Sequence, residues 1–443
     1  MEFIKGVKEK DLLEISDVCE GAYEGQDIRM NGSVHTIRDM GDVAFVVLRK
    51  RDGLVQCVFE EGVTAFDLKA LKEASAVEVC GTVKKEERAP HGFEIRLKEI
   101  KVLSEPAAPL PLAISKWKLN TSLEAKLNMR SISLRNVRER ARFRIQEGVV
   151  RGFREFLNSQ GFTEIHTPKI GAKGAEGGAN LFKLDYFGTP AYLAQSPQFH
   201  KQYLAGAFGR VYEIGSVYRA ERHNTSRHLN EYMGLDFEMA YIDSMYDVMA
   251  METGMLKSVM AYVKEHCAEE LAMLNAEVPE IKEIPTIRFH EAKKIMEEKY
   301  GHKSKNRYDL NPDEEVLLCQ WAKEEYGSEF VFVTHFPSAK RPFYAMDDKD
   351  DPKLALSFDL LFRGLEITTG GQRIHDYQEQ MDKLAARKMN AELFESFTML
   401  HKYGMPPHGG LGIGLERLTM QLLGLNNIRE ASMFPRDMNR LEP

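Results

Sequence analysis

A chain of 443 residues is too long for one ordinary domain, and its 43% hydrophobic and 29% charged residues match globular proteins that bury a sizeable core. No apolar run approaches the roughly 18 residues of a membrane span, and Glu2, Lys5, Lys8, Glu9 and Lys10 crowd the start, which argues against membrane insertion or export. The net charge of −7 excludes nothing about nucleic acid, because binding there depends on local Lys and Arg contacts.

Residues 28 to 103 read as short strands between turns. Ala44 to Leu48 is a compact apolar run, and Gln56 to Phe59, Val77 to Cys80 and Phe93 to Leu97 follow, mostly alternating in polarity. With one helical stretch expected near 63 to 75, the pattern predicts a small closed barrel, commonly an OB-fold, with or without a nucleic-acid role. A proline-rich connector, Pro106 to Pro111, marks a boundary. Ile145, Val149, Phe153, Phe156 and Leu157 then fall at helical spacing and predict a long amphipathic helix, ended by Gly161. Phe162 to Ile170 continue as an extended piece containing Pro168.

Residues 243 to 330 are helix-rich and charged, and read as an insertion packed on the core. Strand signals return at Phe330 to Val333 and Ser357 to Thr369, and an amphipathic helix, Leu415 to Leu423, follows the glycine-rich run Gly409 to Gly414. The expected organisation is a barrel domain at 1–104, a linker at 105–130 and a larger domain at 131–443. Cys19, Cys57, Cys80, Cys267 and Cys319 are scattered without a CxxC pair, which speaks for a reducing, cytoplasmic setting and against a disulfide framework or a zinc site.

Three clusters carry chemistry. The first runs from Val217-Tyr218-Arg219-Ala220-Glu221 to Arg227-His228-Leu229 and on to Met239. If 233 to 239 form a strand, Leu235, Phe237 and Met239 share one face while Gly234, Asp236 and Glu238 share the other. Two acids beside a glycine make a floor that can hold an amine or a metal, although a charged strand face commonly just meets solvent. In the second cluster, Asp359 and Glu366 can share a face only across a turn at Arg363-Gly364, where two carboxylates would suit Mg²⁺ with substrate phosphates. In the third, Gly410 to Arg417 fails the GxGxxG pattern at Leu415, and no P-loop exists elsewhere. Glycines opening a helix with an arginine in its first turn still suit a polyphosphate.

In this order the three clusters resemble the motifs of class II aminoacyl-tRNA synthetases, with Pro168 at the position of motif 1, and the resemblance covers essentially the whole chain. Gln195-Ser196-Pro197-Gln198-Phe199-His200-Lys201, Gly371 to His375, and the ending Asn427 to Glu430 with Phe434 to Asp437 resemble aspartyl-tRNA synthetases of the archaeal and eukaryotic branch. Gly371 stands where that family usually carries Ala, Thr368-Thr369 where a Ser is usual, and Tyr232 where Phe is common. The resemblance implies an α+β protein: an N-terminal OB-fold barrel that reads the anticodon, and a catalytic domain built on an antiparallel sheet flanked by helices. It also implies a homodimeric, membrane-free ligase using ATP, Mg²⁺, L-aspartate and tRNA(Asp).

By the same resemblance, Arg219 holds the α-phosphate and Arg417 the γ-phosphate end, while Arg227, His228, Leu229 and Gly414 complete the ATP site. Tyr232 stacks on adenine, Glu221 meets its polar edge, and Asp359 and Glu366 hold Mg²⁺. Arg373 and Lys201 grip the aspartate side chain, Asp236 takes its ammonium with Gln198 and Thr369 nearby, and Glu176 belongs to a mobile lid. In the barrel, Phe45 stacks on an anticodon base and Arg38, Gln56 and Glu94 make hydrogen bonds; from its residues alone Phe45 reads as core. His35 and Pro90 match members that also aspartylate tRNA(Asn), where strict members carry Trp and Lys. Two rivals remain: an asparaginyl-tRNA synthetase, disfavoured by the cations Lys201 and Arg373, and an RNA-binding protein without catalysis, disfavoured by Arg219, Asp359, Glu366 and Arg417.

Overall fold

The computed structural model describes residue 6 and residues 13–172, 180–222 and 225–443, which divide into two compact units at Arg140/Ala141. The first unit opens with α1 (Ile15–Cys19) and five strands: β1 (Asp27–Asp39), β2 (Val43–Arg49), β3 (Leu54–Glu60), β4 (Ala76–Lys85) and β5 (Phe93–Ser104). They close into a barrel in the order β1-β2-β3-β5-β4. Strand periodicity sorts β2 cleanly: Ala44, Val46 and Leu48 are buried in the barrel core, and Phe45 lies between them on the outer face.

The helix expected near 63 to 75 does not form. One 3-10 turn, Leu68–Ala70, stands in its place, with Asp67 accepting from the Lys69 N–H. Phe66, Leu68 and Leu71 turn towards the barrel core, and Ala65 donates to the Lys98 carbonyl at 2.7 Å, a pairing that a continuous helix would break. In β1, Val34 pairs with Leu48 and Thr36 with Val47, so His35 is the extra residue of a bulge. Residues 105 to 140 belong to the same unit: Leu112, Ile114 and Leu119 are buried, and Asn136 Nδ2 donates to the carbonyls of Ile114 and Lys116. This stretch holds α2 (Leu123–Asn128) and α3 (Arg130–Ser133).

The second unit is organised by α4 (Val137–Ser159), whose buried Ile145, Val149, Phe153 and Leu157 recur at helical spacing. Its strands are β6 (Thr163–Glu164), β7 (Ile170–Gly171), β8 (Lys183–Tyr186), β9 (Thr189–Leu193), β10 (Arg210–Tyr218) and β11 (Glu231–Ala240), followed by β12 (Thr286–Arg288), β13 (Phe330–Thr334), β14 (Ser357–Phe362), β15 (Leu365–Gln372) and β16 (His408–Gly414). Helix α5 (Gln198–Phe208) precedes β10. Helices α6 (Met245–His266), α7 (Ala268–Leu274), α8 (Phe289–Tyr300) and α9 (Pro312–Tyr326) fill the helix-rich stretch, and α10 (Tyr377–Ala386), α11 (Glu395–Lys402) and α12 (Leu415–Leu422) come last.

Eight strands form one sheet in the order β12-β13-β14-β15-β16-β11-β10-β6. The strands from β13 to β10 are antiparallel, as the resemblance implies; the parallel pairs are confined to the two edges, β12 with β13 and β6 with β10. The glycine-rich run before α12 is itself a strand at the centre of this sheet. Leu235, Phe237, Leu411, Ile413, Phe358 and Leu360 pack with α4 and α6 in one core. The helix-rich stretch therefore contributes both core, through Val248, Leu256 and Val259 of α6, and the edge strand β12. No helix among the described residues is long and apolar enough to cross a membrane.

Candidate active site

The register of the sheet lays one row of residues across five strands. Glu213 of β10 pairs with Asp236 of β11, Asp236 with Gly412 of β16, Gly412 with Thr369 of β15, and Thr369 with Asp359 of β14. Directly opposed residues share a face, so three acids and a hydroxyl project to the side opposite Leu235 and Phe237. Glu238 pairs with Gly410 one step along. The glycines of β16 are what make this possible. A Cβ at Gly410 would overlap the Glu238 carboxylate, and one at Gly412 would lie 3.0 Å from Asp236 Oδ1.

Helix α5 faces this floor with Gln198, Lys201, Gln202 and Ala205, spaced to fall on one buried side. Lys201 Nζ donates to Asp236 Oδ1 at 2.9 Å and to the Leu411 carbonyl at 2.8 Å, and stands 3.6 Å from Glu238 Oε2. Arg373 Nε donates to Glu238 Oε1 at 2.8 Å, and its Nη2 to Glu238 Oε2 and the Gly410 carbonyl. Lys169 pairs with Glu213, which also accepts from the N–H and hydroxyl of Thr167, each at 2.8 Å. Three cations thus face three carboxylates, all of them buried except the partly exposed Lys169. Burial raises the pKa of Asp236 against the pull of Lys201. Burial would raise Glu238 too, but Arg373 and Lys201 together hold it below its ordinary value. Gln198 Nε2 is buried without a partner and is free to serve a ligand.

Towards β14 the chemistry changes. Arg341 clamps Asp359 with two hydrogen bonds, 3.0 and 2.7 Å, and lies over the Phe336 ring. Burial still lifts Asp359 to about 6, with Arg341 opposing and Glu366 reinforcing the rise. The turn between the two acids has Arg363 and Gly364 at positive φ, which shapes the tight hairpin that the sequence predicts there. Arg417, in the first turn of α12 after its N-cap Gly414, donates to the Glu366 carbonyl at 2.9 Å and lies 3.5 Å from its carboxylate. Thr369 Oγ1 donates to that carboxylate at 3.2 Å.

The loop between β10 and β11 is held by Asn230, whose amide donates to the carbonyls of Arg219 and Glu221. His228 Nδ1 lies 2.6 Å from Thr225 Oγ1. Leu229 and Tyr232 pack with Leu365, Met420 and Ile428. Glu176 lies outside the described residues. Sequence reasoning missed Glu213, Gln202, Asn230, Glu315 and Arg341. Of these, only Glu213 had a local signal, as an acid in the strand preceding Arg219; Arg341 and Glu315 reach the site from stretches with no motif.

In the barrel, Arg38, Phe45, Gln56 and Glu94 come together on the outer face. The Arg38 guanidinium lies 5.3 Å from the Phe45 ring centroid and donates to Gln56 Oε1 at 3.0 Å; Gln56 Nε2 donates to Glu94 Oε2 at 3.1 Å, and Arg96 joins Glu94 to Glu60. Phe45 is therefore a surface ring, not core. His35 is not part of this ladder: the bulge buries it with Nδ1 3.4 Å from Arg49 Nη1, and burial then Arg49 lower its pKa to about 4. Pro90 opens a 3-10 turn in the β4–β5 loop.

Residues 122–438 match the family of class II tRNA synthetases (D, K and N), and residues 28–103 match the OB-fold nucleic acid binding domain. The chain is a class II tRNA synthetase. It is 48% identical to the aspartate–tRNA(Asp/Asn) ligase of Deinococcus radiodurans over 95% of this synthetase and 97% of that protein. It is 45% identical to the aspartate–tRNA(Asp/Asn) ligase of Thermus thermophilus, covering 95% and 98%. The crystal structure of asparaginyl-tRNA synthetase from Pyrococcus horikoshii with asparaginyl-adenylate superposes with a TM-score of 0.89 at 30% identity, covering 98% of this chain and 99% of that one. A fold shared this closely cannot choose between an acid and its amide; the side chains of the pocket must.

Proposed function

We propose that this synthetase is an aspartate–tRNA ligase. It joins the α-carboxylate of aspartate to the α-phosphate of ATP, releases pyrophosphate, and passes the aspartyl group to the terminal adenosine of a tRNA. The observation that carries this reading is the buried pair Lys201 and Arg373 above the acid floor. A planar guanidinium matches a carboxylate, and the bonds of Arg373 to Glu238 and Gly410 use Nε and Nη2, leaving Nη1 for that of the substrate. Lys201 donates to Asp236 and Leu411 and stands only 3.6 Å from Glu238, so its third donor is shared between that acid and a substrate. Asp236, with Glu213 beside it, receives the α-ammonium, and Gln198 and Thr369 complete that end. The names of the two relatives at 48% and 45% identity support the same substrate.

Both steps build or move negative charge, so positioning and fixed cations lower the barrier. Arg219 holds the α-phosphate, Arg227, His228 and Arg417 the phosphate tail, and Tyr232 with Leu229, Glu221 and Gly414 the nucleoside. Asp359 and Glu366 would hold a magnesium ion: burial chiefly raises the pKa of Asp359, the Glu366 carboxylate adds to the rise, and a cation between them would offset both. Bound there, the ion would supply positive charge against the phosphate oxygens. A homodimer through the region of Pro168 and a cytoplasmic location belong to the same proposal; the five free cysteines fit a reducing compartment.

For the tRNA, stacking on Phe45 and hydrogen bonds from Arg38, Gln56 and Glu94 read the anticodon. We extend the proposal to tRNA(Asn), whose anticodon differs from that of tRNA(Asp) only in the third base. A buried His35 and a Pro90 that lacks an N–H leave few fixed donors to penalise that exchange. ATP–pyrophosphate exchange with aspartate and then asparagine tests the first step; exchange supported by asparagine sinks it. Charging transcripts with anticodons GUC and GUU tests the second. Efficiencies within about tenfold, or ~1.4 kcal/mol, support relaxed specificity, and a gap of several hundredfold refutes it.

A further inference from the structure

Glu315 lies in no motif that carries chemistry, yet it reaches the phosphate side of the site from α9. It is buried, and a single oxygen, Oε2, receives two donors: Arg227 Nη2 from the β10–β11 loop, and the backbone N–H of Glu366 at 2.9 Å. On the other flank of Glu366, Arg417 donates to its carbonyl at 2.9 Å. Three elements far apart in sequence therefore converge on the start of β15. The bond to Glu315 is the only side-chain hydrogen bond of Arg227 among the described residues, and Arg227 Nε is buried without a partner.

We propose that Glu315 is a positioning residue for ATP, which ties Arg227 and Glu366 to one carboxylate oxygen so that guanidinium and acid meet the triphosphate in register. The inference rests on the assignment of Arg227 and Glu366 to ATP made above. An arginine carries five donors in a planar fork, so fixing one Nη leaves the others for phosphate. It also removes in advance rotamer freedom that a long side chain would otherwise lose on binding. A buried acid next to another acid is an unfavourable placement unless a cation needs it. Arg227 is that cation. Because the same oxygen holds the Glu366 N–H, a change at Glu315 reaches both sides of the phosphate site, while Lys201, Asp236 and Arg373 are untouched.

The test is ATP–pyrophosphate exchange by the full chain, with KM measured separately for ATP and aspartate, together with thermal unfolding. The variants are Glu315→Gln, Glu315→Asp, Arg227→Ala and the double Glu315→Gln/Arg227→Ala. Gln keeps the shape and an acceptor for Glu366, so folding is preserved. Glu315→Gln is expected to raise KM for ATP about tenfold, with KM for aspartate within about twofold of wild type. Glu315→Asp should recover part of the loss, and the Gln effect should vanish in the Arg227→Ala background. An unchanged or lower KM for ATP in Glu315→Gln overturns the proposal, as does a parallel rise in both KM values with a lower melting temperature. Absence of aspartate-dependent exchange in the wild type would instead overturn the functional reading itself.

Discussion

The barrel ladder and the catalytic floor both set cations against carboxylates, and turn them to opposite ends. On the barrel, Arg38 is exposed, Phe45 is half-buried and the partly exposed Arg96 joins the surface acid Glu60 to the buried Glu94. Its exposed contacts are individually weak and can exchange partners when a base arrives. In the catalytic unit, Lys201, Arg373 and Glu238 are almost wholly removed from water, packed where glycines of β16 leave room for no side chain. A vacant partner there is costly, which makes the floor a discriminating surface and the ladder an adaptable one.

Arg373→Ala should break the floor most severely. Losing one partner of a buried charge pair costs about 2–5 kcal/mol, so aspartate-dependent exchange should fall by roughly thirtyfold to several thousandfold while ATP binding persists. Near-normal exchange at subsaturating aspartate would show that Arg373 serves the fold and not the substrate. Gly410→Ala comes next. Its Cβ would collide with Glu238 and the Phe237 carbonyl, and overpacking of this kind costs about 1–3 kcal/mol in chemical denaturation. Tolerance of the methyl group would mean that the floor is softer than the close approach implies.

On the ladder, Phe45→Ala should weaken tRNA charging by about 1–3 kcal/mol, the range for one lost base stack, with tRNA-independent exchange and folding unchanged. Equal loss of both activities would erase the contrast between the regions. A further effect concerns pH. Burial raises Glu416 to about 8, against opposing N–H donation from Met233. A carboxyl whose folded pKa lies above its unfolded value keeps its proton while the unfolded chain loses it. Its contribution therefore falls as pH rises from the ordinary carboxylate range to about 8, by at most about 1.4 kcal/mol per pH unit. Glu416→Gln should flatten that slope, and unfolding free energies measured from pH 5 to 8 will show whether it does. No such slope is expected from Arg38→Ala on the exposed ladder.

Much of this was legible in the residues. Period two in 233–239 separates Leu235 and Phe237 from Asp236 and Glu238, and the structure keeps that division, because a strand next to a core has only two faces to offer. The spacing of Ile145, Val149, Phe153 and Leu157 predicts α4 for the same local reason. What pairing across the sheet decides is invisible locally. Glycines at 410 and 412 read as a loop opening a helix, yet they are a central strand, since their purpose lies in the carboxylates of β11. The segment at 63–75 carries enough apolar residues for a helix, but those residues are taken by the barrel core. Arg341 and Glu315 carry no signal at all in their own neighbourhoods. Only the meeting of β13, β14 and α9 at the edge of the sheet turns them towards Asp359 and Glu366, because a charge's partner is set by distance in the fold and not by distance along the chain.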